Sequence, residues 1–297
     1  MRAGRYALNG KSGLFLVSSD QRLLDWSVLE SPALPAPVRE AARKALQDAG
    51  DAAFCAALPV VEEFLSHDGK ALQGATALDS SIQFNPPVRP QNFICVGLNY
   101  RDHAKESDMK LPQAPLLFAK TANAIHAHNR PVPLPPESAQ VDYEAELAVV
   151  IGKTCRRVAA ADALQYVAGY TCGNDISARD FQFADNQWYR GKSADSFGPI
   201  GPWIVSQREI GDGSGLRIQL RLNGNVMQDS TTSNLVFDIP ALIEYISRSI
   251  TLNPGDVILT GTPPGVGFAR KPPVFLKSGD KMEVEIERVG TLVNQIA

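Results

Sequence analysis

The sequence predicts a mainly β fold with some α, in which a small α+β amino-terminal domain (residues 1–88) precedes a larger β-rich domain (residues 89–297). Three observations predict it. Short apolar runs bounded by glycine or proline recur beyond residue 90, helical patterning is confined to a few segments, and Asn85-Pro-Pro-Val-Arg-Pro-Gln91 carries three prolines. Proline removes a backbone donor and restricts the residue before it, so that stretch reads as a connector into a new core, with the boundary beside Pro90.

In chain order, Arg5–Leu8 and Gly13–Val17 alternate in the manner of short strands, and Pro37–Ala49, rich in Ala, Arg, Lys and Glu, reads as a helix. The strand-like runs of the second domain are Phe93–Gly97, Glu146–Ile151, Val167–Cys172, Trp203–Ser206, Arg217–Leu222, Val257–Thr260 and Lys281–Arg288. Helices are expected at Ala160–Tyr166, Ser177–Asn186 and Ile239–Ser249. The last of these has Asp238 and Pro240 as start signals.

Bulk properties narrow the function. The chain has 297 residues, a formal net charge of −3 and no long basic run, which argues against nucleic acid and for a small ligand. The apolar stretch Leu14–Val17 is too short for a signal core or a membrane span. Four scattered cysteines, Cys55, Cys95, Cys155 and Cys172, form neither a disulfide framework nor a zinc spacing, so a cytoplasmic location with reduced thiols is expected.

The chemistry concentrates in a few polar segments. In Val141-Asp-Tyr-Glu-Ala-Glu-Leu147 the strand period places Asp142, Glu144 and Glu146 on one face, with Glu144 and Glu146 about 7 Å apart. The run then turns apolar, and like charges beside a buried strand call for a counter-charge such as a hard divalent cation. Taken alone, Glu-x-Glu is equally a solvated strand face. The chain holds a look-alike in Glu283, Glu285 and Glu287, flanked by Lys281 and Arg288, that reads as surface. Asp175, in Gly173-Asn-Asp-Ile-Ser-Ala-Arg-Asp-Phe-Gln182, stands where a strand ends; it is either a ligand or the N-cap of a helix that would align Asp175, Arg179 and Gln182. His103 and Glu106, three apart, form a pair able to polarise an imidazole, or else an ordinary surface hydrogen bond. Lys192 sits on the glycine-rich Gly191–Pro202 loop, either exposed to solvent or meeting an oxyanion. Thr260-Gly-Thr-Pro-Pro-Gly-Val-Gly267 offers backbone N–H groups and the Thr262 hydroxyl, and lacks the Gly-Lys-Ser/Thr ending of a phosphate-binding loop.

In order, the segments GLNYRDHAKE, DYEAELAVVIG, GNDISARDFQ, RGKSADSFGPIGPW and LTGTPPGVG resemble the fumarylacetoacetate hydrolase superfamily from about residue 90 to the end. The resemblance implies a rolled, mixed β-sandwich catalytic domain, bound Mg²⁺ or Mn²⁺ and a homodimer. By motif, Glu144, Glu146 and Asp175 correspond to metal ligands. His103, Glu106 and Lys192 correspond to catalytic residues, and Arg179, Gln182 and Thr262 to substrate contacts. Ile94-Cys-Val-Gly97 lacks the further aspartate ligand of some members, so three protein carboxylates are expected. The implied reaction is hydrolytic carbon–carbon cleavage of a 2,4-dioxo acid of acylpyruvate or fumarylpyruvate type through a metal-stabilised enolate. Oxaloacetate decarboxylation, isomerisation or hydration of another 2-oxo acid, and an inactive metal-stabilised binding module are the alternatives.

Overall fold

The computed structural model describes residues 1–48, 50–68, 72, 74–102, 111–184 and 187–297. The chain opens with a hairpin, Arg2–Leu8 against Lys11–Val17, closed by Asn9-Gly10 with both φ positive. That is the turn whose twist matches a two-residue hairpin. Two helices follow, Ala36–Gln47 and Ala52–His67. The second was not among the helices expected from the sequence, and Pro59 lies inside it. Proline removes one backbone bond there, yet burial of Phe54, Cys55, Leu58 and Val61 outweighs the loss.

A large mixed sheet organises the molecule. Its strands run in the order Leu23–Asp25, Lys11–Val17, Arg2–Leu8, Gly198–Ser206, Val167–Asn174, Ala145–Ile151, Val257–Leu259, Phe93–Gly97, Leu116–Lys120. The amino-terminal hairpin extends this sheet, with Arg2 opposite Val205 and Ala3 opposite Ile204. On one side, Leu16, Trp26, Phe54 and Leu58 share a core with Cys95, Val150, Ile200 and Leu259. On the other, Leu147, Val149, Ile151 and Tyr170 meet Ile218, Leu220 and Val284 of a four-stranded antiparallel sheet. The strand Ala145–Ile151 is thus covered on both faces and buried throughout, which is why it reads as a nearly continuous apolar run. The fold is mainly β with some α, as the sequence predicts.

Three local expectations are corrected. Asp142, Glu144 and Glu146 do not share one strand, because Val141–Asp142 and Ala145–Ile151 are separate strands. The break is stabilised by side chains that replace ladder partners: Glu144 N–H donates to Asn174 Oδ1 (2.9 Å) and Ala145 N–H to Gln228 Oε1 (2.9 Å). The helix expected from Ser177 begins at Arg179, since Ser177–Ala178 pairs with Val141–Asp142 instead. Asp175 therefore does not cap it. Ala160–Tyr166 is a 3₁₀ turn, whereas Ile239–Ser247 is an α-helix capped by Asp238, which accepts from Ala241 N–H. Among the described residues no helix is long and apolar enough to cross a membrane, and all four cysteines are free and buried.

His128 ties the amino-terminal segment to the carboxyl-terminal sheet. The Phe84 ring packs edge-on against it at 4.9 Å, and Val293 N–H donates to its Nδ1 (3.1 Å), which requires that nitrogen to be unprotonated. Burial pushes its pKa down to about 4. A histidine held below its unfolded value near 6.5 contributes stability that is complete above that pH and is lost as pH falls through 6.5 toward 4. Denaturant unfolding at pH 7 and pH 4.5 should show a decline that is smaller in His128→Gln; equal declines would contradict this role.

Candidate metal centre

The ends of neighbouring strands converge on one buried cluster of charge. Glu146 is the second residue of the strand Ala145–Ile151, Asp175 follows directly on Val167–Asn174, and the two strands pair with Gly173 opposite Glu146. Glu144 lies just before its strand, its carbonyl accepting from Asp175 N–H (2.9 Å). The three carboxylates each present an oxygen within 4.8 Å of the others, and all three are buried. Asp142, the fourth acid of the segment, is turned elsewhere. Its Oδ1 accepts from Gly267 N–H (2.7 Å) and its Oδ2 from Arg179 Nε (2.9 Å) and Phe268 N–H (3.1 Å), so its lone pairs are spent on protein donors.

Cations balance the cluster unevenly. Lys192 Nζ bridges Glu144 Oε2 (2.8 Å) and Asp175 Oδ2 (2.7 Å), while Arg179 Nη2 reaches Asp142 (2.8 Å) and Glu144 (2.7 Å). Lys120 Nζ lies 2.6 Å from Asp175 Oδ1. Burial alone would raise the Glu144 pKa, but the charges of Lys192 and Arg179 outweigh it and hold the carboxyl at about 2. Glu146 is the opposite case. Among the described residues it has no ion pair, and its hydrogen bond comes from Gly261 N–H (2.6 Å). Burial first, then the charges of Asp175 and Glu144, push its pKa well above the ordinary range. Gly261 adopts φ +102, and a Cβ there would fall 2.8 Å from Asn99 Cβ, so the turn that aims this N–H at Glu146 requires glycine.

The arrangement fits a hard divalent cation. Such ions take carboxylate oxygens, and here three carboxylates converge where one, Glu146, lacks a positive partner. Asp175 presents both oxygens to cations, Oδ1 to Lys120 and Oδ2 to Lys192, and still stands within reach of Glu144 and Glu146.

The remaining sequence-predicted residues distribute as follows. Arg179 and Gln182 stand beside Glu144, joined by Nη1 to Oε1 (2.9 Å), with the Phe268 ring stacked 4.5 Å from the guanidinium. Arg179 thus pairs with Asp142 and Glu144 rather than with Asp175. Lys192 is buried, not solvent-facing. Thr262 is buried on the turn beyond Gly261, and its hydroxyl accepts from Gln228 Nε2 (2.8 Å). His103 and Glu106 lie outside the described residues. The acidic look-alike is on the surface, with Glu285 paired to Arg221 and Glu283 to Lys281. Sequence reasoning missed Lys120 and Gln228. Lys120 ends the apolar run Leu116–Ala119, a strand signal that would have drawn attention to it; Gln228 has no local signal.

Glu146→Gln tests the charge imbalance. The amide keeps the Gly261 hydrogen bond and removes the uncompensated carboxylate, so the metal-free Tm should hold or rise. Mn²⁺ affinity, read by calorimetry, should fall by about a hundredfold or more. Unchanged affinity would remove Glu146 from the site.

Comparisons with known proteins agree with this geometry. Residues 92–297 match the fumarylacetoacetate (FAA) hydrolase C-terminal family. A fumarylacetoacetate hydrolase domain-containing protein 2 homolog of Dictyostelium discoideum is 52% identical over 221 residues, covering 71% of this chain and 72% of that protein. The human protein named oxaloacetate tautomerase FAHD2A, mitochondrial, is 48% identical over 220 residues, covering 73% and 70%. The solved structure of a fumarylacetoacetate hydrolase from Exiguobacterium antarcticum superposes with a TM-score of 0.79 at 32% identity, covering 100% of this chain and 99% of that one. With the acidic cluster and its two lysines lying in the matched region, the chain belongs to the fumarylacetoacetate hydrolase superfamily.

Proposed function

We propose that this protein is a Mg²⁺- or Mn²⁺-dependent enzyme that interconverts the keto and enol forms of oxaloacetate or a closely similar 2-oxo diacid. The observation that carries the proposal is the buried triad Glu144, Glu146 and Asp175 with one carboxylate in excess of its cations. The name of the human relative, 48% identical, supports oxaloacetate as substrate. Glu144, Glu146 and Asp175 would hold the cation, which would supply the Lewis acidity that makes a C–H beside a 2-oxo group easier to deprotonate.

The chain's own residues then have separate tasks. Lys192, fixed between Glu144 and Asp175, adds fixed positive charge beside the oxygen on which negative charge develops. Arg179, Gln182 and Thr262 orient the substrate from the rim of the cluster. An imidazole nitrogen of His103, paired with Glu106, takes a proton from the substrate's C3 as the C2–C3 double bond forms, and a proton goes to the 2-oxygen to give the enol; the reverse transfers give the keto form, so no atom is gained or lost. In a second reading, hydrolysis of a 2,4-dioxo acid, the same imidazole takes a proton from water, which adds to the C4 carbonyl. The C3–C4 bond then breaks and C3 is protonated. The full-length superposition on a fumarylacetoacetate hydrolase favours keeping this reading.

The purified protein with Mn²⁺ or Mg²⁺ should accelerate equilibration of enol and keto oxaloacetate without releasing CO₂. His103→Ala should lower that rate by about a hundredfold or more with Mn²⁺ affinity unchanged. Pyruvate release from acetylpyruvate or fumarylpyruvate, with no effect on oxaloacetate, would replace the first reading by the second. Metal binding without acceleration on any of these acids would overturn both.

A further inference from the structure

Lys120 closes the strand Leu116–Lys120 at the edge of the large sheet, and its side chain is wholly buried. Its Nζ donates to three backbone carbonyls, those of Ile176 (3.0 Å), Lys192 (2.6 Å) and Phe197 (2.8 Å). These come from three separate segments: the turn after Asp175, the end of the short helix that carries Lys192, and the loop leading into Gly198–Ser206. An ammonium has three protons, and four oxygens surround this one. The fourth oxygen around it is Asp175 Oδ1, an ion-pair contact at 2.6 Å. Space for the lysine stem comes from Gly198, where a Cβ would fall 3.1 Å from Lys120 Cδ and 2.6 Å from the Phe93 ring.

We infer that Lys120 is a positioning residue: it pins the main chain on both sides of the cluster, at Ile176 and at Lys192, and holds the Asp175 carboxylate by its charge. The inference rests on the metal site proposed above. Two effects of this ammonium oppose each other. A positive charge 2.6 Å from a ligand oxygen repels an incoming cation, so a lysine acting by charge alone would weaken metal binding and its removal would tighten it. A lysine that sets the ligand geometry has the reverse signature. With three carbonyl bonds holding it in place, geometry is the larger effect. Neither partner can shift without breaking buried hydrogen bonds.

The test compares wild type with Lys120→Met by Mn²⁺ calorimetry, by Mn²⁺ electron paramagnetic resonance and by Tm of the metal-free protein. Expected are an Mn²⁺ affinity at least tenfold weaker and a broadened, altered Mn²⁺ spectrum from a distorted ligand set. Tightened or unchanged affinity with an unchanged spectrum would overturn the positioning role, and a lower Tm alone would show a structural residue only. If wild type itself binds no Mn²⁺, the metal site fails rather than this residue's part in it. Should Lys120→Met not fold, ¹⁵N-lysine resonance decides. The slowly exchanging buried ammonium that persists in Lys192→Met is expected to shift on adding Mg²⁺ while keeping its protons. An ammonium that exchanges freely or ignores Mg²⁺ would overturn the inference.

Discussion

Buried negative charge is the constraint on which the rest of the site depends. Four carboxylates, those of Asp142, Glu144, Glu146 and Asp175, are withdrawn from water, and three cations, Lys120, Lys192 and Arg179, are withdrawn with them. Isolated buried ions are costly enough that each needs a partner of opposite charge and hydrogen bonds for its remaining valences. Asp142 obtains both from Arg179 and from the backbone at Gly267 and Phe268. Glu144 and Asp175 share Lys192. Among the described residues Glu146 obtains only a backbone N–H, and on the proposed reading that single imbalance is what a cation would offset.

The fold delivers this imbalance by placing strand ends, not strand middles, at one point. Ala145–Ile151 and Val167–Asn174 are sealed on both faces by two apolar cores, so their registers are fixed over most of their length. Beyond the sealed part, the ladder is interrupted at Tyr143–Glu144, and side chains of Asn174 and Gln228 take over the backbone bonds. That interruption separates Asp142 from Glu144, sending one toward Arg179 and leaving the other for Lys192. A rigid sheet thereby supports ligands that lie just past its ordered edge.

How much of this was legible in the sequence follows from how local each signal is. Glu144, Glu146, Asp175 and Lys192 stand in short motifs whose order could be matched to a family, and the alternation of apolar residues marked the strands that carry them. Asp142 was placed correctly in the segment but on the wrong assumption that one strand runs through it; the interruption is caused by Asn174 and Gln228, which are 30 and 83 residues away. The N-cap alternative for Asp175 falls for the same reason, because pairing of Ser177 with Asp142 displaces the helix start to Arg179. Lys120 was missed because its significance lies in three carbonyls distant along the chain, the furthest 77 residues on. The helix Ala52–His67 was not among the expected elements; burial of Phe54, Leu58 and Val61 holds it despite Pro59. His103 and Glu106 rest on their motif, outside the described residues.

The central claim is that Glu144, Glu146 and Asp175 together form a cation site that the lysines frame but do not fill. Anomalous diffraction from crystals grown with Mn²⁺ tests it most directly. The account expects one strong peak in contact with an oxygen of each of the three carboxylates, with Lys120 still on its three carbonyls. A peak elsewhere, or no peak while Glu146 stays uncoordinated, would contradict it.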